Sequence, residues 1–349
     1  MEAKILNTPP PELVRTHVPL APLTTFSIGG AAEYYAEVSD NNSLEIVTQW
    51  ARENMLPVTV LGGGSNVLVA DDGVRGLVIH PTQSHIESVE NNTTVTLRVG
   101  TGVVWDELVA YTVSEGLWGL ENLSGIPGSV GAVPVQNVGA YGVEVSTYIT
   151  QVHAYDLMDR TMVTLGAAEC AFGYRDSIFK REGLGRYVIM EVIFSLSRTP
   201  RPLLAYKDLA HTFEEQSSPR LLEIREAVLG IREGKFPDLA VVGTAGSFFK
   251  NPIVPASTYT ELTTIHPGLP GFPVDEGRVK IPLGWVLEHV LGFKGRTEGS
   301  VGLYEKQALV LVNHGGATAE DVTHFAEDII RCVHDATGIA VEWEVRPLS

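Results

Sequence analysis

Apolar residues along this chain alternate between helical spacing and strand-like runs, and the two patterns follow one another several times. Helical spacing predicts helices over 42–54, 105–116, 221–231 and 319–337. Apolar and β-branched runs predict strands over 56–61, 73–80, 93–100, 147–157, 186–196 and 340–346. Asn42 or Ser43 is expected to cap the first helix, and Thr318 and Gly338 to begin and end the last. This order of elements predicts an α+β protein that binds its ligand at the turns.

Composition places the chain among soluble globular proteins. It has 349 residues, of which 44% are hydrophobic and 19% charged, enough for two or three domains with a sizeable core. Its 35 glycines occur in clusters and not in a repeat. Clustered glycines indicate many tight turns or ligand sites lined by backbone.

The formal net charge of −17 argues against binding to nucleic acid or to an anionic membrane. The N-terminus shows no signal-peptide pattern, and no uncharged apolar run reaches membrane-spanning length, so we expect a cytoplasmic protein. Cys170 and Cys332 form no metal-binding pattern and are expected to be reduced thiols. No metal site is predicted.

Two glycine-rich runs are the first candidates for chemistry. The chain has no P-loop, no complete Rossmann fingerprint, no nucleophile elbow and no zinc-protease motif. Successive backbone N–H groups in a glycine turn can form a concave nest for phosphate, and two nests suit a dinucleotide's diphosphate. The alternative is that both runs are ordinary turns. The residues concerned are Gly62, Gly63, Gly64, Ser65 and Asn66 in the first run and Gly125, Ile126, Pro127, Gly128, Ser129 and Gly131 in the second.

Three single residues are candidate catalytic groups, and each also has an ordinary interpretation. Ser247 in "AGSFFKNP" is either a turn residue or a positioned hydroxyl that transfers a proton. On a strand, Glu344 in "VEWEVR" would lie on one solvent-facing side together with Glu342 and Arg346. Arg175 in "FGYRDSIF" is either a surface arginine or a bidentate clamp for a carboxylate.

Taken together and in order, these motifs carry a family resemblance. "TTFSIGGAA", "VLGGGSNVL", "SGIPGSVGAVPVQNVGAYGVEV", "FGYRDSIFK", "KFPD", "AGSFFKNP", "GWVLEHVLGFKG", "QALVLVN" and "EWEVR" follow one another along nearly the whole chain. The chain thus closely resembles the UDP-N-acetylenolpyruvoylglucosamine reductase family, flavoenzymes of bacterial cell-wall precursor synthesis. The tyrosine in "LLAYKDL" resembles that of the longer subtype, which has an extra loop over the substrate.

The resemblance implies an α+β fold in three parts. A two-subdomain FAD-binding fold of the vanillyl-alcohol-oxidase type is expected at 1–84, with a return strand at 338–349, and at 85–219. A substrate-binding domain is expected at 220–337. By resemblance, the two glycine-rich runs hold the FAD diphosphate and ribityl chain, and the final strand brings Glu344 to the flavin.

The resemblance also implies a reaction. NADPH would reduce FAD, and C3 of the substrate's enolpyruvyl group would then receive hydride. Arg175 and Glu344 would stabilise the negative charge that moves into the substrate carboxylate, which requires Glu344 to be protonated or linked through a proton. Ser247 would give the proton to C2.

The substrate would be a sugar nucleotide held by Tyr141, Tyr206, Lys235, Asn251 and His289. His289 stands where the longer-subtype pattern leads us to expect glutamine. Two other functions stay open: an FAD-dependent sugar or lactone oxidase of the same fold, and a binding protein that has lost its flavin. We expect a monomer.

Overall fold

The computed structural model describes residues 6–216 and 218–349. The helices are α1 (Asn41–Glu53), α2 (Trp105–Ser114), α3 (Lys207–Thr212), α4 (Leu221–Glu233), α5 (Ala256–Ile265), α6 (Leu283–Trp285) and α7 (Ala319–Thr337). The strands are β1 (Arg15–Pro19), β2 (Ala31–Val38), β3 (Val58–Val60), β4 (Val67–Val69), β5 (Val74–Pro81), β6 (Ile86–Asn91), β7 (Thr94–Gly100), β8 (Gly139–Ala140), β9 (Val143–Glu144), β10 (Ile149–Asp156), β11 (Thr161–Gly166), β12 (Tyr187–Ser197), β13 (Ile253–Pro255), β14 (Phe272–Asp275), β15 (Arg278–Lys280), β16 (Thr297–Glu298), β17 (Val301–Tyr304), β18 (Gln307–Asn313) and β19 (Arg346–Leu348).

The chain divides into two compact units, which are described separately. The first unit contains residues 1–18, 32–63 and 75–232, and the second contains 19–31, 64–74 and 233–349. Both units are therefore built from several stretches of the chain. The predicted division at 84/85, 219/220 and 337/338 stays a prediction, and α4 belongs to the first unit as far as Arg232.

The first unit contains two larger sheets with separate hydrophobic cores, and the short pair β8-β9. One sheet has the strand order β1-β2-β5-β3 and packs beside α1, whose inner face includes Leu44, Val47 and Ala51. The other has the order β11-β10-β12-β7-β6 and is antiparallel throughout. Its core also takes in Trp105 and Leu108 of α2. The mixed architecture confirms the predicted α+β class.

The second unit is built around α7 and the antiparallel strands β17 and β18. Val322, Phe325, Ile329 and Val333 recur at helical spacing on α7 and are buried in one core. The C-terminal β19 pairs in parallel with β4, which directly follows the first glycine-rich run. This pairing brings the end of the chain next to that run.

Predicted element ends are confirmed where a local capping signal sets them. Thr318 caps α7 through a capping box, and Gly338 ends it in the left-handed conformation. The N-cap prediction of Asn42 or Ser43 for α1 was wrong, because the cap is Asp40, whose side chain accepts from Ser43 N in a capping box. The strand predicted at 340–346 was also wrong. Only Trp343 makes an isolated bridge there, and the regular strand begins at Arg346.

Candidate active site

The two glycine-rich runs meet within the first unit. Gly63 N donates to Ser129 Oγ at 3.1 Å. A Cβ on Gly63 would lie 2.6 Å from Gly128 Cα, so only glycine allows the two backbones to approach this closely. The second run is equally constrained at Gly131, where a Cβ would lie 1.5 Å from Thr101 Oγ1. The glycines therefore allow close backbone packing, a role that the sequence did not indicate.

Side chains of α2 and α4 hold the start of the second run. Asp106 accepts from Gly125 N at 2.6 Å and forms a two-pronged ion pair with Arg225. Arg232 donates from Nε to Gly125 O at 3.0 Å. Burial raises the pKa of Asp106, but the hydrogen bonds from Arg225 and Gly125 outweigh it and hold that pKa below its usual range. The backbone of Gly125 is thus fixed at both its N–H and its C=O.

Hydrogen bonds inside the protein already use three amides of residues 125–131. Gly125 N donates to Asp106, Val130 N donates to Val103 O at 2.9 Å and Gly131 N donates to Thr101 O at 2.9 Å. These two glycines shape the segment, and their contact with a cofactor stays a prediction. Further main-chain N–H groups of this run and the Ser129 hydroxyl form a donor set of the kind that binds the phosphates of a dinucleotide. The residues present are therefore compatible with the predicted cofactor.

Tyr141 and Tyr206 lie together in the first unit. Their rings form an edge-to-face pair with centroids 5.3 Å apart. Tyr141 is buried, which raises its pKa to about 12, and it has a positive φ of 48°. Tyr206 is exposed and directly precedes α3. The pair therefore combines a buried tyrosine, Tyr141, with an exposed one, Tyr206.

Arg175 occupies the corner of a tight turn in the first unit. Gly173 and Asp176 exchange backbone hydrogen bonds across the turn, and Arg175 has φ = 54°. Its Nη2 donates to Gly139 O at 2.8 Å. A non-glycine residue in this region of φ is strained, and such strain is common at functional sites.

Ser247 and Glu344 come close together in the second unit. Residues 243–250 run between β18 and the C-terminal segment, with bridges of Ser247 to Val310 and of Phe249 to Trp343. Glu344 N donates to Phe248 O at 2.8 Å. On its other side, Glu344 O accepts from Asn66 Nδ2 at 3.2 Å. The backbone of Glu344 therefore joins the first glycine-rich run to the segment that carries Ser247.

The remaining predicted substrate residues also belong to the second unit. Asn251 Oδ1 accepts from Leu283 N at the start of α6. Residues Val286–Val290 continue this helix as a π-helical turn, a rare feature that is frequent at functional sites. His289 is exposed there and stacks on Trp285 with ring centroids 4.7 Å apart. Lys235 is half-buried just after α4.

Sequence reasoning missed Asp106, Arg225 and Arg232. A signal existed for the arginines, because a spacing of seven positions places both on one face of a helix. The partner of that face could not be read from the sequence. The described residues contain no cluster of three or more acidic, histidine or cysteine side chains that could hold a metal. No described helix has the length and apolar character needed to cross a membrane.

Comparison with known proteins agrees with this arrangement. A family model for an FAD binding domain matches residues 32–166, and one for the C-terminal domain of UDP-N-acetylenolpyruvoylglucosamine reductase matches 238–348. A reductase of that name from Ralstonia nicotianae is 44% identical over 338 residues, covering 95% of this chain and 98% of the relative. The chain belongs to the UDP-N-acetylenolpyruvoylglucosamine reductase family.

Another reductase of this name, from Bdellovibrio bacteriovorus, is 41% identical over 327 residues, covering 93% of this chain and 96% of the relative. Among solved structures, the family's enzyme from Thermus caldophilus superposes with a TM-score of 0.68 at 26% identity, covering 96% of this chain and all of that one. These matches confirm the predicted family, with an FAD-binding domain followed by the family's C-terminal domain.

Proposed function

We propose that this protein reduces UDP-N-acetylglucosamine enolpyruvate to UDP-N-acetylmuramate with NADPH, through FAD, in peptidoglycan precursor synthesis. Family membership supports this reaction. The observation that links this reaction to particular residues is the position of Glu344. Its backbone is hydrogen-bonded to Asn66 and to Phe248, the neighbour of Ser247.

The glycine-rich residues 62–66 and 125–131 would hold FAD, which supplies hydride taken from NADPH. Arg175 binds the carboxylate of the enolpyruvyl group and stabilises the charge that moves into it when C3 gains hydride. Glu344, in its protonated form, donates a hydrogen bond to the same carboxylate. Ser247 then gives its hydroxyl proton to C2, which at that stage is a strong base.

The sugar nucleotide would be bound by Tyr141, Tyr206, Lys235, Asn251 and His289. Tyr206 and Lys235 contact the diphosphate, and the loop that carries Tyr206 assigns the protein to the longer subtype. A few local donors suffice for an anionic substrate even though the formal net charge is −17. We also propose a cytoplasmic monomer, and the net charge argues against binding to nucleic acid or to an anionic membrane. The proposed domains are the FAD-binding subdomains 1–84 (with 338–349) and 85–219, and the substrate domain 220–337.

An anaerobic spectroscopic titration tests this function. The purified flavoprotein is reduced with NADPH, UDP-N-acetylglucosamine enolpyruvate is added, and the flavin absorbance is followed. Stoichiometric return of the oxidised spectrum without air is the expected result. Return only after oxygen enters would instead indicate an oxidase. A colourless protein that FAD cannot reconstitute would overturn both and leave a binding protein.

A further inference from the structure

Asn137 is a buried polar residue beside the turn that carries Arg175. It is 1% exposed, and it has a positive φ of 46°. Three of the four hydrogen-bonding functions of its side chain, both donors and one acceptor lone pair, are used. Its Nδ2 donates to Gly173 O at 2.9 Å and to Glu144 Oε2 at 3.1 Å, and its Oδ1 accepts from Ser146 N at 3.1 Å.

The contact with Gly173 fixes the base of the Arg175 turn. Gly173 O accepts from Asp176 N across the turn and also from Asn137. Arg175 lies between these two positions in a strained conformation, so its surroundings must hold it there. A hydrogen bond from a buried, immobile amide is suited to this purpose.

The segment after Asn137 also fixes the other end of Arg175. Gly139 O accepts from Arg175 Nη2 at 2.8 Å, and Gly139 is paired with Glu144 between β8 and β9. Glu144 in turn accepts from Asn137. Hydrogen bonds, together with the chain from Gly173 to Arg175, thus form a closed circuit from Asn137 through Gly173, Arg175, Gly139 and Glu144 back to Asn137.

We propose that Asn137 is a positioning residue for Arg175: it sets both the backbone and the direction of the guanidinium that binds the substrate carboxylate. This inference rests on the proposed function of Arg175. Asparagine suits the position because it tolerates positive φ and supplies two donors together with an acceptor. Aspartate would place a second carboxylate against Glu144 and would lose the donor to Gly173.

Asn137→Gly is the primary variant, because it keeps the positive φ and removes only the amide. We expect reduction of the flavin by NADPH within about twofold of wild type, and reoxidation by the enolpyruvyl substrate slower by on the order of tenfold to a hundredfold. Isothermal titration calorimetry should show weaker substrate binding to the oxidised holoenzyme. We expect the same results for Asn137→Asp, which replaces the glycine variant in the test if that variant binds no FAD. Asn92→Gly is the matched control, since Asn92 is exposed in a turn with φ = 53°.

A double-mutant cycle with Arg175→Ala identifies the route of the effect. If Asn137 acts through Arg175, the double variant is no slower than Arg175→Ala alone. Multiplying effects, or equal slowing of both half-reactions, would overturn the positioning role. Wild-type protein that neither binds nor is reoxidised by the substrate would instead overturn the proposed function. If the substrate reoxidises the wild type and the Asn137→Gly variant at the same rate, only the inference about Asn137 is overturned.

Discussion

Two segments with candidate functional residues are held in their units by different means. The second glycine-rich run, in the first unit, combines backbone hydrogen bonds to residues 101–105 with side-chain contacts: Asp106 and Arg232 hold Gly125, and Thr101 packs against Gly131. The serine-bearing segment of the second unit is fixed by backbone bridges on both sides. Removing a side chain should therefore disturb the shape of the first segment, whereas in the second it should remove chemistry and leave the shape intact.

Ser247→Ala should give the largest effect on activity. The bridge to Val310 uses backbone atoms only, so the variant should fold, bind FAD and oxidise NADPH normally. Reduction of the substrate should slow by about 10²–10⁴-fold, the usual worth of a positioned proton donor. Stopped-flow measurement of the two half-reactions separates these outcomes. Substrate reduction within a few fold of wild type would refute the proton-donor role.

Substitutions of Glu344 test the neighbouring part of the second unit, with a smaller expected loss of activity. Its backbone holds its position, so Glu344→Gln and Glu344→Ala should keep the same fold. The amide of glutamine can still donate a hydrogen bond, so we expect a smaller loss of kcat for Gln than for Ala, where about 3–4 kcal/mol of transition-state stabilisation is at stake. Exposed Glu342, which pairs with Lys250, provides the control Glu342→Gln. Equal losses for Gln and Ala would exclude hydrogen-bond donation.

Gly131→Ala should disrupt the second glycine-rich run. The added methyl collides with Thr101, and overpacking of this kind costs about 1–3 kcal/mol. We expect a lower unfolding temperature and a reduced FAD content in the purified protein. Gly230→Ala is the matched control, because Gly230 lies on α4 and its Cβ would meet nothing within 4 Å. That substitution should raise the unfolding temperature slightly, and destabilisation by both would contradict the packing argument.

Asp106→Asn should give the smallest effect, and a pH-dependent one. The pKa of Asp106 is lowered in the folded protein, so its ionised form stabilises the fold fully above the unfolded-state value of 3.8, and this contribution is lost as pH falls through the folded-state pKa. The variant should therefore unfold at a lower temperature than wild type near neutral pH, and the difference should shrink only as the pH falls below 3.8 and vanish below the folded-state pKa. Glu107→Gln, on the same helical turn but exposed, should show no such convergence.

Much of the fold could be predicted because its signals are local. Thr318 and Gly338 mark the ends of α7, and the apolar period marks its buried face. The strand at the C-terminus was misplaced because alternation in "VEWEVR" resembles a strand, whereas pairing with β4 begins only at Arg346. Alternation alone cannot reveal where a pairing partner starts, because the partner lies far away in the sequence.

The sequence by itself determined the family, the glycine-rich runs and the identity of the candidate catalytic side chains, since each is written in a short contiguous motif. Only the tertiary structure decided how they are held. Asn66 and Glu344 are 278 positions apart, and Arg232 lies 107 positions from Gly125. Contacts at such separations depend on the packing of sheets and helices that bury apolar faces, and no local pattern encodes them. For the same reason no local pattern pointed to Asn137, whose amide donates to the backbone of a turn 36 residues away.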